Sequence, residues 1–222
     1  MSAEKLKHLI RTALLHSRLK NYLIYKYHYN FSPKQLCFLC ACIDETKTLP
    51  GAILEIGCAQ GHTTVFLNKH MTFQKIEKPY VCIDTFSGFT KKDIDVEVKQ
   101  RGKIREQFIE GFRSNSRKSL EESLRYNGIS RARIFQGDVA DFDFTSPIGI
   151  SFCLLDVDLY APTTHALTNV YEHLSPGGLI VVDDCKDNDR YDGAFRAYSE
   201  FMDRQGFTPE IVAEKLGVIR KV

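Results

Sequence analysis

Two apolar runs that stop abruptly on carboxylates constrain this chain more than any other feature. Ile150 to Leu155 runs into Asp156-Val157-Asp158, and Leu179 to Val182 runs into Asp183-Asp184. A short continuous apolar run is the pattern of a strand buried on both faces, which requires helices above and below a parallel sheet. In open α/β sheets ligands bind beyond the carboxyl ends of the strands. Two such strands side by side would bring four carboxylates together at that edge. Clustered carboxylates either hold a hard cation or do proton chemistry. Any one of them could simply cap the following helix, but capping needs only one carboxylate per helix.

The rest of the chain supplies the other strands and helices. After the turn at Pro50-Gly51, Ala52 to Ile56 reads as a strand that runs into Glu55-Ile56-Gly57-Cys58-Ala59-Gln60-Gly61, and His62-Thr63-Thr64 opens a helix. Strand, glycine turn and helix form a nucleotide-binding arrangement: glycines let the backbone approach a ligand, and the helix start offers free N–H groups. The third glycine of the dinucleotide fingerprint is missing, which disfavours a dinucleotide-dependent oxidoreductase. The strand Tyr80 to Ile83 ends at Asp84, where an acid accepts hydrogen bonds from ribose hydroxyls, and the loop Thr85 to Phe89, with Ser87, would flank such a ligand. Lys91 to Ser114 is charged, with Ile104, Phe108 and Phe112 at four-residue steps, and predicts a surface helix in an insertion. A helix from Ser116 to Tyr126 stops at Asn127-Gly128, and the strand Ala132 to Gln136 delivers Gly137-Asp138. Pro162 begins a helix to Leu174, Ser175 to Gly178 turns the chain, and a helix from Gly193 to Gln205 stops at Gly206. Thr208 to Ala213 and Leu216 to Arg220 close the chain as a hairpin. The sum is an α/β fold: a seven-stranded, mostly parallel sheet with an antiparallel C-terminal hairpin.

Residues 1 to 26 place Leu6, Leu9, Ile10, Ala13, Leu14, Leu19 and Leu23 three and four apart, the spacing of an amphipathic helix. Ser32-Pro33 then starts a second helix to about Lys47. Residues 1–49 are expected as a helical extension, serving as a lid or as the contact of a homo-oligomer, and residues 50–222 as the sheet domain. With 43% hydrophobic residues the chain can bury one substantial core, and a formal charge of +2 suggests neither a nucleic-acid nor a membrane-surface binder. Seven scattered cysteines read as reduced, buried thiols of a cytoplasmic protein. Cys37 and Cys40 have the spacing of a zinc or redox pair, but no second pair follows.

The combination of Glu55 to Gly61, Asp84 to Phe89, Gly137-Asp138, Asp156-Val157-Asp158-Leu159-Tyr160 with Pro162-Thr163, Pro176-Gly177-Gly178, Asp183-Asp184 and Asp192-Gly193-Ala194 resembles the macrocin-type O-methyltransferases, which methylate sugar hydroxyls in macrolide and aminocoumarin biosynthesis. The resemblance spans residues 50 to 222. It implies a Rossmann-like class I methyltransferase fold and S-adenosylmethionine as cofactor, held by Glu55, Gly57, Gly61, His62, Thr63, Asp84, Ser87, Gly137, Asp138 and Asp156, with Asp138 toward the adenine. It also implies a divalent cation, usually magnesium, on Asp156, Asp183 and Asp184.

In that reading the chain transfers a methyl group to a hydroxyl of a small molecule, a sugar or sugar-bearing natural product. The cation lowers the hydroxyl's pKa, and Asp158, or Asp156 itself, accepts its proton. Two rivals stand beside it: a catechol-type enzyme acting on the vicinal diol of an aromatic, and a non-catalytic S-adenosylmethionine-binding protein. The latter needs Asp84 but not four further carboxylates.

Overall fold

Period-two alternation along the central strands sorts the apolar side chains onto two faces of one sheet. Along β1 (Ala52–Ile56), Ile53 faces one core while Leu54 and Ile56 face the other; along β4 (Ile150–Leu155), Leu154 opposes Cys153 and Leu155. The first core is covered by α2 (Pro33–Thr46), α3 (His62–Phe73) and α6 (Arg117–Tyr126), through Leu39, Leu67 and Leu120 among others. The second is covered by α7 (Tyr160–His173) and α8 (Asp192–Gln205), through Leu167, Val170, Tyr198 and Phe201. The computed structural model describes residues 2–20, 29–109, 112–146, 149–187 and 190–222.

Seven strands form the sheet in the order β3-β2-β1-β4-β5-β7-β6. Here β2 is Tyr80–Asp84, β3 Ala132–Gln136, β5 Leu174–Val182, β6 Glu210–Val212 and β7 Leu216–Arg220. The first five are parallel, and β7 and β6 add the antiparallel hairpin. The strand reversal between β1 and β4 is the switch point at which α/β sheets open a crevice.

Four expectations are corrected. β5 begins at Leu174 rather than at Leu179: Ile150 pairs with Leu174 and Phe152 with Leu179, so the Pro-Gly-Gly segment bulges outward within the strand instead of preceding it as a turn. The insertion is not one surface helix. It breaks at Gly102, φ +68°, into α4 (Lys91–Arg101) and α5 (Glu106–Ile109), and Ile94 and Phe108 join Leu159 in a third buried cluster with Phe89 and Tyr191 packed on it. Charge hides that burial from the sequence, because Glu97, only 1% exposed, pairs with Arg101 at 2.7 Å and accepts the Tyr160 N–H at 2.7 Å. The first strand of the hairpin is shorter than Thr208 to Ala213. Among the cysteines, Cys37 is exposed and Cys40 half-buried, while the other five are buried and all seven are free.

The helix expected over residues 1 to 26 is shorter: α1 (Ala3–Leu15) stops at His16, residues 16–19 turn, and α1 buries none of its residues, leaving Leu6, Leu9 and Ile10 exposed. The continuation of that predicted helix over residues 21–26 lies outside the described residues. The second helix packs into the core through Leu36, Leu39 and Ile43, and its start is fixed by a reciprocal Ser32–Gln35 capping box. Among the described residues no helix is long and apolar enough to cross a membrane.

Candidate active site

Backbone hydrogen bonds continue past the strands and level their ends. Gly57 N–H donates to the Ile83 carbonyl (2.8 Å), Asp156 N–H to that of Ile56 (2.8 Å), Asp183 N–H to that of Leu155 (2.9 Å) and Gly137 N–H to that of Asp84 (3.0 Å). The row Gly137, Asp84, Gly57, Asp156, Asp183 therefore forms one floor, which opens into a cavity of about 470 Å³. Gly57 is needed there on two counts: its φ is +92°, and a Cβ would lie 1.7 Å from the Asp156 carbonyl oxygen. The loops leaving this floor carry left-handed residues other than glycine, namely Ala59, Phe86, Asp158 and Asp184, with φ of +47°, +53°, +62° and +56°. Each such residue costs roughly 1–2 kcal/mol, and such strain clusters at functional sites.

Asp84 ties two of these loops together. Its Oδ2 accepts the Ala59 N–H at 2.8 Å and its Oδ1 the Phe86 N–H at 2.7 Å, which fixes the β1–α3 turn against the β2–α4 loop. Asp138 accepts the Ala140 N–H at 2.9 Å and caps the short turn Val139–Asp141.

The acids at the other end converge. One oxygen each of Asp156, Asp158 and Asp184 lies within 4.8 Å of the others, a donor set suited to a hard cation. Burial and then the charges of Asp183, Asp158 and Asp184 push the Asp156 carboxyl well above the usual carboxylate range. Burial and then Asp184 do the same to Asp158. Of the acids that the resemblance implies as metal ligands, Asp156 and Asp184 belong to this trio, Asp158 completes it, and Asp183 lies outside it. Lys215 Nζ donates to Asp183 Oδ2 at 2.8 Å and to Asp184 Oδ1 at 2.7 Å. Asp183 Oδ1 is buried without a hydrogen-bond partner, and burial followed by the Asp184 charge pushes this carboxyl up to about 6, with Lys215 opposing. An orphaned buried oxygen beside three converging carboxylates is consistent with a cation at this edge.

Of the residues expected at the site, Gly57, Asp84, Gly137, Asp138, Asp156, Asp158, Asp183 and Asp184 line the cavity. Glu55, Gly61, His62, Thr63 and Ser87 do not, for local reasons. Glu55 shares the strand face of Ile53 and so lies beneath α3, where it accepts the Tyr80 hydroxyl at 2.8 Å. Gly61 heads α3 in left-handed conformation, where a Cβ would strike Leu120. The first turn of α3 stands beside the cavity without lining it: His62 is exposed and meets Asn30, itself a lining residue, at 3.3 Å, and Thr63 is buried. Ser87 is exposed at the tip of its loop.

Ala59 of the glycine turn and Thr85 and Gly88 of the flanking loop also line the cavity, beside an aromatic wall that the sequence does not announce. Phe89 and Phe112 meet edge-on with centroids 5.5 Å apart, and Tyr191 lies 6.0 Å from Phe89. Its traces in the sequence are Phe89 at the end of the flanking loop and the four-residue step from Phe108 to Phe112. Lys215 gave none, being read as one half of a hairpin turn.

The model of the macrocin-O-methyltransferase (TylF) family matches residues 33–218. This chain belongs to that family. It is an enzyme of the O-methyltransferase class, built on the Rossmann-like methyltransferase fold. It is 26% identical over 197 residues to the mycinamicin III 3''-O-methyltransferase of Micromonospora griseorubida, covering 83% of this chain and 74% of that one. Among solved structures, the O-methyltransferase NovP superposes with a TM-score of 0.70 at 17% identity, covering 89% of this chain and 83% of that chain. The O-methyltransferase TomG from Streptomyces achromogenes, described in complex with SAM, superposes with a TM-score of 0.53 at 13% identity over 96% of this chain and 89% of that one. The matched span begins at α2, in keeping with the packing of that helix into the core.

Proposed function

We propose that this methyltransferase transfers a methyl group from S-adenosylmethionine to a hydroxyl of a small molecule, a sugar or sugar-bearing natural product, with a divalent cation, magnesium by preference, at the acidic end of the cavity. The observation that carries the reading is the levelled floor, which brings the loops tied by Asp84 and the trio Asp156, Asp158 and Asp184 into one cavity. S-adenosylmethionine supplies an already activated methyl group, so the protein's task is to align the acceptor oxygen and remove one proton.

In this reading the backbone at Gly57 and Ala59 lies along the amino-acid end of the cofactor, Asp84 takes the ribose hydroxyls, and Gly137 and Asp138 border the adenine. Asp156, Asp158 and Asp184 would hold the cation, which supplies the Lewis acidity that lowers the pKa of an acceptor hydroxyl. A carboxylate at this edge, Asp158 or Asp156 itself, receives the proton the hydroxyl gives up. The edge-on ring pair of Phe89 and Phe112 offers an apolar wall to a sugar ring or its aglycone. The seven unpaired thiols fit a cytoplasmic location. The exposed apolar stripe of α1 fits a lid or a contact with a second copy.

The test uses the intact protein with S-adenosylmethionine and a panel of nucleotide sugars, glycosylated natural products and catechols, with methylation read by mass spectrometry. Methylation of a sugar hydroxyl that drops at least a hundredfold with chelator or with Asp156→Ala is expected. Transfer undiminished by both would remove the cation from the reading, and a thermal shift with NAD but none with S-adenosylhomocysteine would remove the cofactor. Methylation confined to catechols would favour the vicinal-diol alternative.

A further inference from the structure

The tip of the terminal hairpin is bent by two left-handed residues, Ala213 and Glu214, at φ +46° and +78°. That bend turns Lys215 back over the sheet edge, where its backbone and side chain are both fixed. Its carbonyl accepts the Cys185 N–H at 2.8 Å, directly behind the paired acids. The Ala213 carbonyl accepts Gln35 Nε2 at 3.0 Å, and the Phe31 ring lies 5.6 Å from the ammonium. The ammonium is thereby delivered onto Asp183 and Asp184, and it is the one cationic side chain among the described residues lining the cavity. Asp184 is shared: it belongs to the converging trio and to the Lys215 pair.

We propose that Lys215 is a tethered counter-ion of the acidic site, a positioning residue that holds Asp183 and Asp184 toward the hairpin and sets how tightly a free divalent cation binds at Asp156, Asp158 and Asp184. The proposal rests on the cation reading above. A fixed monocation acts on an incoming cation in two ways, by like-charge repulsion and by competition for Asp184 Oδ1. With Lys215 gone, four carboxylates share one edge with no internal cation. A divalent ion then meets more uncompensated negative charge, so affinity for it rises.

The experiment compares wild type with Lys215→Met in metal-free buffer, adding manganese as the probe and following binding by calorimetry and by the melting temperature. The dissociation constant for manganese should fall about tenfold or more, equivalent to about 1.4 kcal/mol. The metal-free variant should melt below wild type and gain more from manganese. Equal or weaker binding by the variant overturns the proposal, since Lys215 would then support the ligands instead of opposing the ion. If wild type binds no manganese and the variant does, the counter-ion role stands and the cation-assisted reaction fails. If neither binds it, the counter-ion proposal fails as well. Lys215→Gln, which loses the charge but keeps a donor, carries the same comparison if the methionine variant does not fold.

Discussion

Glu55→Gln should make this protein more stable above neutral pH and leave it nearly unchanged at pH 5. Glu55 is 1% exposed, held under α3 with the Tyr80 hydroxyl donating to it at 2.8 Å. Burial, and to a lesser degree the charge of Asp84, push its carboxyl from 4.5 up to about 7, while the hydroxyls of Thr64 and Tyr80 act in the opposite direction. An acid whose folded pKa is raised keeps a proton that the unfolded chain has already released. Stability therefore falls as pH rises from 4.5 to about 7, and the whole penalty is present above that window. At 1.36 kcal/mol per unit, the separation amounts to about 3 kcal/mol. Glutamine keeps the shape and an acceptor for Tyr80 but carries no charge. Burying its extra amide protons without ideal partners costs roughly 1 kcal/mol, which leaves a gain of about 2 kcal/mol at pH 8. Urea unfolding of both proteins at pH 5, 6, 7 and 8 measures this directly, because only the difference between them carries the Glu55 titration. A difference that stays flat across that range would refute the reasoning. The same variant tests the placement of Glu55 outside the cavity: its affinity for S-adenosylhomocysteine should stay within about threefold of wild type, and a loss beyond tenfold would restore the direct cofactor role expected from the sequence.

Three further outcomes follow from the geometry. Asp84→Ala removes the acceptor of both the Ala59 and the Phe86 N–H groups, so calorimetry should show S-adenosylhomocysteine binding weakened more than tenfold; an unchanged constant would separate Asp84 from the cofactor. Phe108→Ala empties the centre of the third cluster and should cost about 3–4 kcal/mol in chemical denaturation, while raising KM for the acceptor through the loosened Phe89 wall; a loss under 1 kcal/mol would mean the insertion does not unfold with the sheet. Gly57→Ala forces β1 and β4 apart at the Asp156 carbonyl, so it should yield little folded protein or a protein with no measurable transfer, and wild-type activity and melting temperature would contradict the close approach.

The sheet was legible because its signals are local. Each buried parallel strand is a short apolar run, each ends at a residue the chain marks with glycine or an acid, and the levelling of Gly57, Asp84, Asp156 and Asp183 follows once the strand order is known. What stayed hidden depends on partners far away in sequence. Glu55 and Gly57 belong to one motif two residues apart, yet strand alternation and the turn send the first under α3 and the second to the cavity floor. The insertion looked like solvated surface because Glu97 and Arg101 were counted as surface charge, whereas they neutralise each other in a 2.7 Å pair that lets Ile94 and Phe108 bury beside them. The acidic cluster shows the same limit most sharply. Four aspartates at two strand ends can be counted from the sequence, but the ammonium that pairs with two of them belongs to Lys215, which follows Asp184 by thirty-one positions and arrives only through the hairpin's bend. Asp183 and Asp184 share that distant charge, while Asp158 is placed by its left-handed backbone, φ +62°. The division of labour among identical carboxylates is therefore set by the strand order and the hairpin rather than by the acids themselves.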